Sequence, residues 1–307
     1  MGEIGGFRRQ VNPLVVANRF QPYIRDMKTR ILVSSLLGFL CVVLPAAAQP
    51  GRSFTTLSYA TTVAGLTVMM TEADVEMSGR GYRIDIATRT AGTYGLLFRG
   101  ETRTLAQGMW SGNTVAPQRY AVSGAWRGSP RQTLMDYVTS QPDVLRLEPP
   151  NAAEREPVPP ELQRETVDTI SAAALLARRA TLISACNGSL RTFDGRRLFE
   201  VTSRTGGWET LPPGATPAYA GPALRCDFEG RLLAGFLLDA DRESSARPQK
   251  GTAWLARLTR DSPMLPVRLS FEIPWLGSAS MTLLAAKPEG PPLVRQRADA
   301  DAAPLRR

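Results

Sequence analysis

Three carboxylates alternate along one short stretch of this chain: Glu72, Asp74 and Glu76. On a β-strand every second side chain projects from the same face, so all three would share a face. Such a group could hold a hard cation such as calcium, or serve in acid/base catalysis. The loop spacing of a calcium site is missing, and the next strand, with Arg83, Asp85 and Arg89, could supply cations that pair across with these acids. We therefore interpret the three carboxylates as a solvated strand face.

Apolar and aromatic side chains near predicted turns suggest a different chemistry. Residues 93–98 form an apolar segment between two strands, which would be a docking lip for a lipid or partner if exposed, or would cap the core if folded in. The later aromatics could line a ligand mouth or close the end of a sheet. The candidate ligand-binding residues, with one arginine to meet a head group, are Leu96, Leu97, Phe98, Arg119, Trp254 and Trp275.

Two arginine-containing pairs could clamp an anion, because the guanidinium fork suits phosphate or carboxylate. They are Arg119-Tyr120 and Arg196-Arg197. Neither pair has a Gly-rich cradle or a predicted helix N-terminus beside it. A solvated face is the default interpretation for both.

The chain contains no histidine. Ser-His-Asp and Cys-His nucleophile systems are therefore excluded, as are His-ligated zinc and copper sites. A hydrolase would depend on carboxylates or on Lys250 and Lys287, the lysines that follow residue 48. We predict a protein without catalytic residues, bound metal or cofactor.

An export signal is predicted near the start. Basic residues at 27–30 precede an apolar run at 31–44, and Ala46 and Ala48 form an Ala-x-Ala cleavage site, which is the layout of a secretory signal peptide over residues 27–48. About 14 apolar residues are too few for a permanent transmembrane segment. Lipidation at Cys41 is the alternative, disfavoured by the bulky Leu40 before it. Residues 1–26 are interpreted as an upstream mis-start or a disordered segment, and the predicted location is the periplasm.

Two cysteines follow the predicted cleavage site, Cys186 and Cys226. In an oxidising compartment an even pair predicts a disulfide, and the alternative is two buried free thiols. No Cys-x-x-Cys motif is present, which disfavours catalytic thiol exchange. The net charge of +9 includes the N-terminal segment, and the arginines are spread among acids. A nucleic-acid partner is not predicted, because binding would require clustered charge.

The elements that would position these residues are mainly strands. Alternating stretches separated by short turns predict an antiparallel meander over the first half. A Pro-rich insert at 149–160 precedes the one convincing helix, at 167–179. After the helix, Asp194-Gly195 predicts a hairpin, and residues 206–222 are predicted to form a Gly/Pro-rich loop. We predict a mainly β (α+β) protein with a single antiparallel, strongly curved sheet or open half-barrel and one packed helix. A single domain at 49–287 would form this structure, and a disordered basic tail would follow at 288–307.

Several short motifs occur in a characteristic order along the chain. They are the stretch from Tyr59 to Gly65-Leu66-Thr67-Val68, Tyr82-Arg83-Ile84, the crossover at 90–97, Pro117-Gln118-Arg119-Tyr120, the helix at 166–176, Phe193-Asp194-Gly195-Arg196-Arg197, Cys226, Leu265-Pro266-Val267-Arg268-Leu269 and the end strand at 277–283. In this order the chain resembles, over about residues 54–287, the exported proteobacterial proteins catalogued as domain of unknown function 3108. The resemblance implies a periplasmic, mainly antiparallel β protein with no assigned activity, and it transfers no functional residues.

Three functions remain open at this stage. The first is non-enzymatic binding of a lipid or lipoprotein-like apolar ligand in the curved sheet, by analogy with open half-barrel carriers. The second is a structural or interaction module that joins other envelope proteins. The third is a glycan hydrolase that uses carboxylates such as Glu72 and Asp74.

Overall fold

The computed structural model describes residues 53–126, 128–138, 141–273 and 277–288, all within one compact unit. The predicted signal peptide with Ala46 and Ala48, the segment 1–26, Trp275 and residues 289–307 lie outside these ranges. The described residues form thirteen strands: β1 (Ser53–Val63), β2 (Leu66–Met77), β3 (Gly81–Thr90), β4 (Gly100–Ser111), β5 (Thr114–Trp126), β6 (Ser129–Val138), β7 (Gln141–Glu148), β8 (Gly188–Phe193), β9 (Leu198–Thr216), β10 (Tyr219–Ala234), β11 (Gln249–Arg257), β12 (Met264–Ile273) and β13 (Gly277–Pro288). The helices are α1 (Gly92–Leu97), α2 (Pro160–Gln163), α3 (Thr169–Ile183) and α4 (Arg242–Ser245), with a 3₁₀ turn at Asn151–Ala153.

All thirteen strands belong to one antiparallel sheet in the order β7-β6-β5-β4-β3-β2-β1-β13-β12-β11-β10-β9-β8. The first described strand, β1, lies in the middle of the sheet, and the following strands build outwards to β7, after which the chain crosses to the opposite edge at β8 and returns to the middle. β13 then pairs with β1. The predicted fold class is confirmed, and the described strands do not close into a barrel because β7 and β8 remain the two ends of the order.

The crossover between the two edges is helix α3, and the sheet curves around it. Asp168 caps the helix by accepting a hydrogen bond from the Ser171 backbone N–H, and Ser184 ends it in the left-handed conformation. The alanine-rich sequence favours the helix. α3 contacts β4 and β5 as well as β8 and β12. Those strands lie far apart in the sheet, so only a strongly curved sheet can touch one helix with all four.

The core fills the space between this helix and the sheet. On β1 and β2 alternate residues such as Leu57, Tyr59 and Val75 are buried, as the period of a strand requires. They join Ala174 and Leu175 of α3 in one hydrophobic cluster that receives residues from both halves of the sheet. A smaller cluster surrounds the cysteine pair near the C-terminal end of the helix. The predicted pair is confirmed at disulfide distance, with Cα atoms 5.8 Å apart.

Side-chain contacts bring the two sheet edges together at one end. The β8–β9 turn carries Gly195 at φ +88°, and a Cβ there would lie 2.7 Å from Thr133 Cγ2 on β6. Next to it, Arg196 Nη2 donates to the carbonyl oxygens of Glu148 and Pro149 at 2.7 and 2.9 Å. The outer edge of β8 is covered by Val167, which forms a parallel bridge with Thr192. Such covering protects edge strands from pairing with other chains.

Several sequence predictions differ from the structure. The stretch 206–222, predicted as a loop, continues β9 and β10, because its glycines at positive φ let long strands bend without breaking. The edge strand β7 was not predicted, since its proline and charges are atypical of a strand. Helix α3 extends four residues beyond the predicted end at residue 179, and three short helices accompany it. β13 includes Pro288, the first residue of the predicted tail.

Candidate functional site

The segment predicted as a docking lip forms the short helix α1. Leu96 and Leu97 are 86% and 77% exposed, so these two side chains do not cap the core. Phe98 is half-buried, and its ring lies 5.0 Å from that of Tyr94. The Ala91 N–H donates to Val68 O at 2.9 Å, which fixes the start of the helix against β2. α1 therefore presents two leucines to solvent from an anchored position.

Arg119 lies elsewhere, on β5. Its guanidinium makes two parallel hydrogen bonds to Asp136 on β6, at 2.7 and 2.8 Å. The Arg119 side chain remains 48% exposed. Arg119 is therefore held on the strand surface by its pairing with Asp136.

Trp254 on β11 belongs to a polar cluster on the other half of the sheet. Its indole Nε1 donates to Glu209 at 2.7 Å, and the Arg268 guanidinium lies 5.1 Å from the ring centroid. Glu209 also accepts from Arg225 at 3.1 Å. The hydrogen bonds from Trp254 and Arg225 hold the pKa of Glu209 below its usual range. These contacts fix Trp254 in place and leave it half-buried.

A groove of about 470 Å³ lies next to this cluster, across β9 to β12. Its lining is mixed in charge, with three cations and three carboxylates, and Thr252 and Ser270 add hydroxyl groups. This lining suits a polar ligand and not an acyl chain. The charged residues are Arg204, Arg225, Asp227, Glu229, Lys250 and Glu272.

The strand register shows that the predicted site residues are not gathered at one place. Arg119 is opposite Gln107, which is opposite Arg83 on β3. α1 follows the far end of the same strand, after Thr90. At about 3.3 Å per residue, these seven residues place Arg119 roughly 20 Å from α1 along the strands. Trp254 lies on the opposite half of the sheet order.

The three alternating carboxylates lie on β2. Glu72 lines a second groove, of about 480 Å³, across β1 to β5. Asp74 accepts from Thr56 Oγ1 at 2.7 Å, while Glu76 stands opposite Arg83. Among the residues that the structure describes, no group of cysteines, aspartates and glutamates could hold a metal ion.

A buried polar cluster at the start of α3 was not predicted. Asp168 is fully buried, and its carboxylate accepts from the Ser171 N–H at 2.8 Å and from Ser171 Oγ at 2.5 Å. Ser171 Oγ also shares a 2.5 Å hydrogen bond with the Tyr82 hydroxyl. Burial raises the pKa of Asp168 to about 6, although the hydrogen bonds from Ser171 oppose the increase. An aspartate before a helix is an ordinary cap in sequence, so its burial could not be read from the pattern.

Tyr120 and Tyr137 extend this cluster. Burial is the largest cause that raises the pKa of both hydroxyls, and the charge of Asp168 adds to it. The Tyr137 hydroxyl is buried without a hydrogen-bond partner among the described residues. The cluster is enclosed by the core, so it stabilises α3 within the sheet and offers no open surface to a substrate.

A family model described as a protein of unknown function, DUF3108, matches residues 55–284. The chain belongs to the DUF3108 family. The match spans the sheet from β1 to β13 and includes α1, α3 and both cysteines, so the DUF3108 domain coincides with the curved sheet described above.

Two further comparisons concern the DUF3108 domain. No curated protein matches it. Among solved structures it is similar to a β-barrel-like protein of domain of unknown function DUF1849 from Brucella abortus, with a TM-score of 0.49 and 11% sequence identity, over 77% of this chain and 98% of that chain. Among the described residues, no helix is sufficiently long and apolar to cross a membrane.

Proposed function

We propose that this DUF3108 protein is an exported, non-enzymatic binding protein of the periplasm whose ligand is apolar, a lipid or an acylated partner. The ligand binds at the exposed end of the sheet that carries α1 and not on the concave face. The observation that carries the proposal is the exposure of Leu96 and Leu97 on an anchored helix. The concave face is an unfavourable site, because α3 fills it with a buried core.

The apolar surface extends beyond α1. Leu66, which opens β2, is 63% exposed. A Cβ at Gly92 would lie 2.5 Å from Thr67 O, so the first residue of α1 sits against the residue next to Leu66. Burying a leucine contributes about 1.5–3 kcal/mol, so three leucines supply roughly 5 kcal/mol or more, which corresponds to reversible binding at about millimolar to micromolar affinity.

Export is supported by the predicted signal peptide and by the cysteine pair. Two cysteines at bonding distance suit an oxidising compartment, because cytosolic thiols are kept reduced. Intact-mass analysis of protein from native cells, expected to show cleavage after Ala48, tests this part of the proposal independently of any ligand.

Vesicle co-sedimentation tests apolar binding. We expect the protein to sediment with vesicles of phosphatidylethanolamine and phosphatidylglycerol, and a Leu96→Ser/Leu97→Ser variant to lose at least tenfold in affinity. The matched control is Leu182→Ser/Ile183→Ser, an equally exposed pair at the end of α3 (65% and 69%). Equal loss in both variants, or no binding by the wild type, would refute α1 as the binding element.

One observation favours a second function, an interaction module of the envelope. α3 occupies the concave face, and β7 is an edge strand whose Leu145 is 53% exposed. This alternative predicts that a photo-crosslinker at Leu145 gives a discrete adduct in envelope extracts, whereas one at Leu182, which is 65% exposed at the end of α3, does not. Adducts from neither position would leave the interaction module unsupported.

A further inference from the structure

Four arginines converge where the two edges of the sheet meet. Arg131 comes from β6, Arg155 from the Pro-rich segment after β7, and Arg196 and Arg197 from the β8–β9 turn. We refer to these four residues as the arginine cluster. The Pro-rich segment is tied to the sheet here, because Arg155 forms a backbone bridge with Leu237.

Two carboxylates balance only half of this charge. The Glu154 carboxylate accepts hydrogen bonds from Arg131 Nη1 at 2.9 Å and from Arg131 Nη2 at 2.6 Å. Asp194 is paired with Arg197 at 2.8 Å. The nearby acids are engaged elsewhere, since Glu156 binds Arg242 and Glu148 binds Arg146. The cluster therefore carries two cations in excess.

Among the described residues, the hydrogen bonds of the two surplus guanidiniums go to backbone oxygens. Arg155 donates to Gly235 O at 2.9 Å. Arg196 donates to Glu148 O and Pro149 O, and its Nη1 is 4.0 Å from the nearest Glu154 oxygen and has no hydrogen-bond partner among the described residues. Burial lowers the pKa of both residues, and neighbouring guanidiniums add to the effect. Arginine nevertheless stays protonated at neutral pH, so the excess charge persists.

We propose that the arginine cluster is a binding site for a phosphate-type oxyanion. The accessible guanidiniums of Arg131 and Arg197, 34% and 43% exposed, would meet the anion through the N–H groups that Glu154 and Asp194 do not use. Arg155 contributes hydrogen bonds, and the deeply placed Arg196 contributes its charge. The remaining guanidinium N–H groups can make charge-assisted hydrogen bonds to phosphate oxygens, and a multivalent anion would relieve the repulsion among the four cations.

The site lies at the same end of the sheet as α1. Arg131, Gly124 and Thr102 are register partners in β6, β5 and β4, and Thr102 is opposite Thr88 in β3. Three strand spacings of about 4.8 Å separate Arg131 from Thr88, and α1 begins four residues later. Arg131 therefore lies roughly 20 Å from α1, which matches the thickness of one leaflet in a bilayer about 40 Å thick. The oxyanion site stands without α1, and only its occupation by a lipid head group rests on the proposed function.

Inorganic phosphate is the first probe. In a thermal-unfolding titration at constant ionic strength, we expect phosphate to stabilise the wild type more than chloride does. Arg155→Gln should weaken the apparent phosphate affinity about tenfold, because it removes a charge-assisted hydrogen bond. Arg260→Gln, at an exposed arginine in the β11–β12 connection, should leave that affinity unchanged. Equal phosphate effects in all three proteins, or none in the wild type, would overturn the site.

Vesicles then distinguish the source of the phosphate group. If the anion is a head group, Arg155→Gln weakens binding to phosphatidylglycerol vesicles as well as to phosphate. If the ligand is a free anion, Arg155→Gln loses only the thermal stabilisation by phosphate and still binds the vesicles. In either case phosphate should stabilise the Leu96→Ser/Leu97→Ser variant against thermal unfolding as much as it stabilises the wild type. Failure of apolar binding is therefore separable from failure of the arginine cluster.

Discussion

Replacing Asp168 by asparagine tests the buried polar cluster through its pH dependence. Asparagine caps helices as well as aspartate does, so α3 keeps its N-terminal hydrogen bond in the variant. The carboxylate titrates at about 6 in the folded protein and at 3.8 ordinarily. That difference is equivalent to about 3 kcal/mol at 1.36 kcal/mol per pH unit.

The sign of the effect follows from proton binding. Between pH 3.8 and 6 the unfolded chain has lost the Asp168 proton while the folded protein keeps it. Stability therefore falls as the pH rises. From pH 4.5 to 7.5 the expected loss is about 2 kcal/mol. Asp136, Glu154 and Glu209 have lowered pKa values and act in the opposite direction, so their contribution is lost only at more acidic pH.

Urea unfolding monitored by tryptophan fluorescence at constant ionic strength measures this slope. We expect the wild type to lose about 2 kcal/mol between pH 4.5 and 7.5, and Asp168→Asn to remain nearly flat. Asp85→Asn, which changes an aspartate paired with Arg103 on the outer strand surface, is the control and should keep the wild-type slope. A wild type that gains stability as the pH rises, or an Asp168→Asn variant with an unchanged slope, would refute the assignment of this cluster.

Two further predictions concern stability and use the same assay. Tyr82→Phe removes a hydroxyl bonded to Ser171 and should cost about 1–2 kcal/mol, whereas Tyr137→Phe removes a buried hydroxyl without a partner and should be neutral or stabilising; a larger loss for Tyr137→Phe would contradict the assigned contacts. Changing Cys186 and Cys226 together to alanine opens a loop with a sequence separation of 40 and should cost about 4 kcal/mol on the chain-entropy model. Equal urea midpoints for the oxidised and reduced wild type would argue against a stabilising bond.

The sheet could be predicted because its signals are local. Asp194-Gly195 specifies a hairpin by turn chemistry, and the alternation in β12 shows which side chains face the core. β9 and β10 were harder, because their glycines and prolines are typical of loops although the strands continue through them. Those residues allow bending, and only the partner strand shows whether a bend interrupts the ladder.

The candidate site was less predictable, because exposure and convergence depend on the whole fold. The leucines of α1 were recognised as unusual, but the sequence could not show whether they faced solvent. The sequence predicts Arg119 as a head-group ligand, and the strand register places it opposite Asp136. The sequence offers Arg196-Arg197 as a possible anion clamp, while Arg131 and Arg155 join this pair only through contacts between distant segments.

The pairing of β1 with β13 has a consequence for how the protein is made. Thr55 is opposite Pro288, so the centre of the sheet cannot be completed until the last described strand has been synthesised. A nascent chain lacking that strand would display two unpaired edges in its middle, the surfaces that promote aggregation. Folding that depends on such distant partners is slow. Premature termination before β13 should therefore be as damaging as loss of the first strand.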